Sequence, residues 1–165
     1  MNLKIIISVC LVPVLVILSI CGLEYGIRAL NWWSLTKGEI VESITLPKRA
    51  PRSGDAYLRF IPRSEMDIAV VGAGVNLVLD NNSVVKSARV ALGAVAPTPL
   101  LVPAAAKAII GTKLNKAALT KLADACSAAC SPIDDKRGTV EFRTEVAGVL
   151  ARRAARIAYK RAGGK

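Results

Sequence analysis

The sequence contains no histidine, and aromatic residues make up only 4% of its 165 positions. The missing imidazole removes the commonest general base, the usual zinc ligand and every Ser-His-Asp or Cys-His nucleophile arrangement. The scarcity of aromatic rings argues against a base-stacking surface, so nucleic acid is not expected as a partner. We therefore predict no catalytic residue in this chain and expect any chemistry to come from a cofactor or another chain.

Cysteine is also scarce, with four residues in two separate pairs. Cys10 and Cys21 lie in an apolar N-terminal run, whereas Cys126 and Cys130 lie four positions apart in a helical pattern. A zinc site would need two further ligands, and an i,i+4 pair on a helix is poorly aimed for a disulfide. The pattern predicts buried free thiols, no metal site and a mild preference for a reducing compartment.

Acidic residues are few compared with basic ones: the sequence has 12 Asp and Glu and 23 Lys and Arg, which gives a net charge of +11. This balance suits an anionic partner without deciding among nucleic acid, lipid headgroups and an acidic protein surface. Several cations lie in the second half of the last predicted helix. The helix dipole alone would favour cations near the C-terminus, and a dedicated anion-binding site is the alternative explanation. These cations are Arg152, Arg153, Arg156, Lys160 and Arg161.

Residues 1–35 form an apolar leader in which Ile5–Leu23 is nineteen residues without a charge. That length predicts a transmembrane helix over residues 5–23. A secretory signal peptide is the rival interpretation, and it is disfavoured because no small-residue cleavage site follows. The excess of Lys and Arg after this segment predicts a cytoplasmic domain anchored by the N-terminal helix. The other alternative is a leader that is not native to the domain behind it.

Four segments with strand-like alternation precede the helices. Gly72-Ala73-Gly74 resembles the start of a dinucleotide-binding turn, but Leu77 occupies the position of the third glycine in that motif. The strand-like alternation also continues past this point. We predict one long strand in which Gly72 and Gly74 share a face and permit a bulge or the close approach of a helix. The predicted strands are Glu39–Leu46, Asp55–Ile61, Ile68–Leu79 and, after an Asp80–Ser83 turn, Val84–Val95.

Three helices are predicted in the second half of the chain. They cover Pro103–Ile110, Asn115–Cys130 and Thr139–Ala162, with Gly111 as a C-cap of the first. The second helix has an apolar stripe of Leu119, Leu122, Cys126, Ala129 and Cys130. The predicted buried stripe of the third is Val146, Val149, Leu150, Ala154 and Ile157.

Three strings carry a resemblance to a known family: MDIAVVGAGVNLVLD, ARVALGAVAPTPLLVP and SPIDDKRGTVEFRTEVAGVLARRA. The chain resembles the C-terminal part of the FAD-binding (medium) subunit of molybdenum hydroxylases, which include carbon monoxide and xanthine dehydrogenases. The match extends upstream through KGEIVESITLP and LRFIPRSEMDIA, and it covers roughly Thr36 to Ala162 in order. It divides the chain into the leader, a remnant strand and linker over 36–54, and a C-terminal domain over 55–163.

The resemblance implies an α+β fold: a small antiparallel sheet of three to four strands packed against about three helices, here preceded by a single apolar helix. It implies FAD as the cofactor of the parent subunit. It also implies an iron–sulfur small subunit and a molybdopterin large subunit as partners. Two positions of this chain correspond to flavin-proximal residues of the family, Val41 and Arg59. The loop Arg63–Met66 lies beside the flavin in some relatives, and Met66 departs from the acidic residue that some of them carry there.

The family's main FAD grip lies in an upstream domain, and nothing before Thr36 resembles it. We therefore expect little FAD affinity from this chain alone, since two peripheral contacts cannot replace a phosphate cradle. The leading hypothesis is a non-autonomous subunit fragment of a FAD-dependent oxidoreductase that passes electrons from iron–sulfur clusters to an acceptor. The alternative is a membrane-anchored basic module that binds anionic lipid or nucleic acid. A third reading is a non-functional remnant with exposed sheet edges.

Overall fold

A computed structural model describes residues 48–63 and 68–164 of the chain. Four strands form one antiparallel sheet in sequential order. They are β1 (Ser53–Phe60), β2 (Val71–Leu79), β3 (Val85–Gly93) and the two-residue β4 (Leu100–Leu101). Three helices follow: α1 (Pro103–Ile109), α2 (Lys116–Ala129) and α3 (Val140–Arg161). The predicted α+β class is confirmed for the described residues.

The helices lie on one face of the sheet. The helix α3 packs against β1 and β2, α1 packs against β3, and α2 lies between the two helices. Alternate residues of β2 supply the apolar face that they cover, with Val71, Ala73, Val75, Leu77 and Leu79 buried. One layer of helices on one sheet face therefore encloses a single core.

The β2–β3 hairpin ends in the predicted turn. The Asp80 carboxylate accepts hydrogen bonds from the main-chain N–H groups of Asn82 and Val84, both at 2.8 Å. Ser83 adopts a positive φ of 61°. Tyr159 of α3 donates its hydroxyl proton to the Ser83 carbonyl at 2.7 Å, so the last helix fastens this turn to the core.

The glycines of β2 serve a different purpose from the one we predicted. Gly72 and Gly74 do share a face, but the helices pack on the opposite one, and the only irregularity in the β2–β3 register falls between Val78 and Leu79. Instead the Tyr57 side chain lies over Gly72, where a Cβ atom would stand 2.6 Å from the phenol oxygen. The close approach of a helix occurs at Gly54 of β1, whose added Cβ would meet the Ala158 carbonyl oxygen.

The buried stripe predicted for α3 is partly wrong. Leu150 and Ala154 are buried, but Val146 and Val149 are half-buried and Ile157 is 36% exposed. The face toward the sheet is made of small residues instead, because the helix lies too close to β1 and β2 for larger side chains. The buried residues of this face are Ala147, Ala151, Ala155 and Ala158, whereas Gly148 lies against Ala123 and Ser127 of α2.

The predicted transmembrane helix over residues 5–23, the strand Glu39–Leu46 and most of the Arg63–Met66 loop lie outside the described residues. Within 48–63 and 68–164, no helix combines the length and the apolar character that crossing a bilayer requires.

Candidate functional site

The candidate site is the sheet face opposite the helices, at the end of β1. Arg59 lies on this face, since it pairs in register with Gly72 while Tyr57 pairs with Gly74. Both side chains are exposed, and strand alternation alone predicts that residues two apart share a face. Tyr57 therefore lies on the same face of the sheet as Arg59, the predicted site residue.

The glycines opposite these side chains keep the face flat. Gly72 and Gly74 present no side chain, and the Tyr57 ring occupies the space over Gly72. Burial raises the pKa of the Tyr57 phenol above its usual 10.0, and the nearby Arg59 cation opposes that rise. The phenol therefore keeps its proton at neutral pH and can donate a hydrogen bond.

Arg59 also borders a second feature, a groove of about 520 Å³ between β1 and α3. Arg59 forms no ion pair with any residue in the described ranges. A guanidinium in that state can bind an anionic or carbonyl oxygen of a ligand, because it offers several donors in a fixed plane. The groove is lined by Leu58, Arg59, Phe60, Leu150, Arg153, Arg156 and Ile157.

The other predicted flavin-proximal residue, Val41, lies outside the described residues, so its place beside Arg59 stays a prediction. Of the Arg63–Met66 loop only Arg63 is described, and it is exposed. The face around Tyr57 and Arg59 suits the polar edge of a planar ring. It offers nothing like the glycine-rich turn at a helix N-terminus that holds a pyrophosphate.

Arg143 is a buried cation that the sequence patterns did not reveal. It is 3% exposed, and its guanidinium donates to the Val70 carbonyl at 2.7 Å and to the Asp135 carboxylate at 2.7 Å. Longer bonds reach the carbonyls of Gly138 (3.3 Å) and Ala94 (3.4 Å). Arg143 therefore joins the start of β2, the end of β3 and the loop before α3.

Of the two described cysteines, one is buried as predicted and the other only partly so. Cys126 is buried and Cys130 is half-buried, and both are free. Burial, with a smaller contribution from Cys130, raises the pKa of Cys126 to about 12, so its nucleophilic thiolate is almost absent at neutral pH. No group of three potential metal ligands occurs among the residues that the structure describes.

Comparison with known proteins identifies relatives of this domain. Residues 56–158 match the family described as CO dehydrogenase flavoprotein C-terminal domain. The carbon monoxide dehydrogenase medium chain of Afipia carboxidovorans is 36% identical over 129 residues, which cover 78% of this chain and 44% of that protein. A putative xanthine dehydrogenase FAD-binding subunit of Escherichia coli is 27% identical over 133 residues, covering 80% of this chain and 45% of its own length.

Solved structures agree with these relatives. Reconstituted CO dehydrogenase from Oligotropha carboxidovorans superposes with a TM-score of 0.69 at 35% identity, covering 78% of this chain and 44% of that one. The chain thus spans less than half the length of the relatives that it matches.

Proposed function

The chain belongs to the CO dehydrogenase flavoprotein C-terminal domain family, and from that membership we propose that it acts in the flavin subunit of a molybdenum hydroxylase-type oxidoreductase. In this role electrons pass from iron–sulfur clusters on a small subunit, through FAD, to an acceptor. They originate at a molybdopterin centre on a large subunit. The observation that carries the proposal is that the family match runs from residue 56 within β1 to residue 158 within α3.

The part of the site that this chain supplies is the Tyr57–Arg59 face. FAD, when bound, exchanges electrons with the iron–sulfur clusters and the acceptor. The positive charge of Arg59 would favour negative charge on a reduced flavin and would grip the polar edge of the ring. Tyr57 would donate a hydrogen bond from its protonated phenol, and Val41 would pack against the ring.

The phosphates of FAD need a second protein segment. The described residues offer two polar side chains to a ring and no cradle for the pyrophosphate, so the chain alone should hold FAD weakly. We infer that an upstream flavin domain completes the site.

The test combines the full chain with the remainder of a relative. The chain would be co-expressed with the upstream flavin domain, the small subunit and the large subunit of the Afipia carboxidovorans carbon monoxide dehydrogenase. We expect co-purification and visible flavin absorbance in the complex, and little flavin on the chain alone. Stoichiometric flavin on the isolated chain would refute the need for an upstream domain. Failure of the chain to co-purify would refute the subunit role itself.

Arg59→Gln tests the flavin contact within that complex. We expect a more negative flavin reduction potential, because the cation that stabilises negative charge on the reduced ring is gone. Lys107→Gln, which removes an exposed cation from α1 on the other side of the sheet, is the matched control and should leave the potential unchanged. An equal potential in both variants would remove Arg59 from the site.

The alternative function, binding to anionic lipid, rests on the exposed cations of α3. Arg153, Arg156, Lys160 and Arg161 are exposed, and of these four side chains only that of Arg161 hydrogen-bonds to a described residue, donating to the Asp55 carbonyl at 2.8 Å. Flotation with phosphatidylserine vesicles that disappears at high salt, together with no affinity for the hydroxylase subunits, would favour this function.

A further inference from the structure

Among the residues that the structure describes, the strand β1 is an edge of the sheet and its outer side pairs with no other strand. It is eight residues long, whereas the opposite edge strand β4 has two residues. At the free side, the Asp55 carbonyl accepts a hydrogen bond from Arg161. Antiparallel alternation places the main-chain groups of Tyr57 and Arg59 on that same side. Long edge strands are normally covered or blunted, so the uncovered half of β1 can accept another strand.

An apolar groove runs beside this free edge. Leu58 and Phe60 of β1 face Leu150 and Ile157 of α3 across it. Phe60 continues the apolar surface to Phe142, since their rings meet edge to face with centroids 5.8 Å apart. Phe60 and Phe142 are 38% and 42% exposed, which is high for aromatic rings in contact with one another. The groove can therefore take apolar side chains from a segment lying along β1.

The rim of the groove is cationic. Arg153 and Arg156 extend from α3 and are exposed, and neither has an ion pair with a described residue. Glu145 is the last acidic residue of α3, so no carboxylate on the second half of the helix neutralises them. Carboxylates of a partner would complement these two guanidinium groups, and their planar forks suit bidentate contact.

We propose that the outer edge of β1 and this groove bind an extended segment of a partner protein that turns apolar and acidic side chains toward the same face, the one that meets α3. The segment adds as a fifth strand whose main chain pairs with Tyr57 and Arg59. Every second side chain of that strand points toward α3. These side chains are apolar over the groove and acidic at its rim, where they meet Arg153 and Arg156. A lipid headgroup would satisfy the arginines but not the main-chain donors and acceptors of the strand edge. This interaction does not depend on the proposed flavin role.

The test uses the full chain and labelled peptides in fluorescence anisotropy. The first, called the Glu-Val peptide, has Val and Glu in turn at every second position with Thr between them, so that both face α3. The second has Lys in place of each Glu, and the third is the Glu-Val peptide with N-methylated main-chain amides. We expect only the first to bind, with an affinity that falls as salt is raised. Equal binding of the N-methylated peptide would overturn the proposal, because that analogue cannot extend a sheet. Binding to phosphatidylserine vesicles without peptide binding would also overturn it.

Charge reversal locates the binding surface. We expect the Arg153→Glu/Arg156→Glu variant to bind the Glu-Val peptide about tenfold more weakly or worse, since two attractions become repulsions. The control Lys107→Glu/Lys121→Glu makes the same charge change at exposed positions of α1 and α2 and should bind within about twofold of the wild type. Equal losses in the two variants would show attraction by net charge alone and refute the site.

The predicted strand of the chain itself, residues 39–46, is the other candidate occupant because it carries Glu39 and Glu42. The affinity of a Glu39→Lys/Glu42→Lys variant for the Glu-Val peptide decides between the partner segment and the chain's own segment. If the partner segment is the occupant, this variant binds the Glu-Val peptide as the wild type does. A rise of about tenfold or more in affinity would assign the edge to the chain's own segment and overturn the proposal.

Discussion

Replacing Arg143 with methionine tests the buried cation that joins the start of β2, the end of β3 and the loop before α3. Methionine keeps an unbranched apolar stem and removes every donor, so the carbonyl of Val70 loses its 2.7 Å charged partner. Those of Gly138 and Ala94 lose longer bonds. A hydrogen bond from a charged group contributes about 1.5–3 kcal/mol, and breaking a buried charged contact costs roughly 3–5 kcal/mol. Counting the one short and two longer bonds to carbonyl groups, and nothing for the second short bond to the solvent-accessible Asp135 carboxylate, we expect about 3 kcal/mol of lost stability.

Urea unfolding followed by circular dichroism measures that loss. With an m-value of about 1.5 kcal/mol per molar, 3 kcal/mol lowers the midpoint by about 2 M. Lys136→Met removes an exposed cation from the same loop and should shift the midpoint by less than about 0.3 M. Arg143→Lys retains the charge without the fork and should fall between the two. A midpoint within about 0.5 M of the wild type for Arg143→Met would refute the structural role of these bonds.

The same substitution changes the response to acid. The hydrogen bond from Arg143 lowers the pKa of Asp135 below its usual 3.8, with a smaller contribution from the main-chain N–H of Arg137. Since the folded-state pKa is the lower one, the carboxylate stabilises the fold above pH 3.8, and that stability is lost as the pH falls through the folded value. We expect Arg143→Met to flatten the decline of the unfolding midpoint below about pH 4. An unchanged decline would contradict this coupling.

Three further changes test the core. Gly54→Ala places a Cβ atom against the Ala158 carbonyl oxygen and should cost about 3 kcal/mol or more in urea unfolding, whereas Gly111→Ala, with open space but a φ of 78°, should cost about 1 kcal/mol. Tyr159→Phe loses one buried hydroxyl bond and should cost about 1 kcal/mol; no change in midpoint would show that the bond contributes nothing. Peptide mapping after iodoacetamide treatment should find buried Cys126 labelled at least about tenfold more slowly than the half-buried Cys130, and equally rapid labelling of Cys126 in the folded chain would contradict its burial.

Most of the fold could be predicted because its signals are local. The Asp80 side chain bonds the main chain of its own turn, so the turn can be predicted from the sequence at that point. Because the alternation continues through Leu77, the pattern indicates a strand and not a nucleotide-binding turn. Arg143 escaped prediction because its partners lie far along the chain: the Val70 carbonyl is 73 positions away. A cation in the first turns of a helix is normally solvated, and only the tertiary structure shows that the ends of two strands meet there.

The error in the buried face of α3 explains where the groove comes from. Hydrophobic periodicity gives most weight to large side chains, so it placed Leu150 and Ile157 toward the sheet. At Gly54 the strand approaches the helix so closely that only small residues fit between them, and an alanine face occupies that contact. The larger apolar residues are thereby displaced sideways, toward the free edge of β1. The tight helix–sheet contact and the apolar groove beside it are thus two consequences of one packing arrangement. Enlarging the alanine face to fill the groove from within would separate α3 from β1 rather than close the groove.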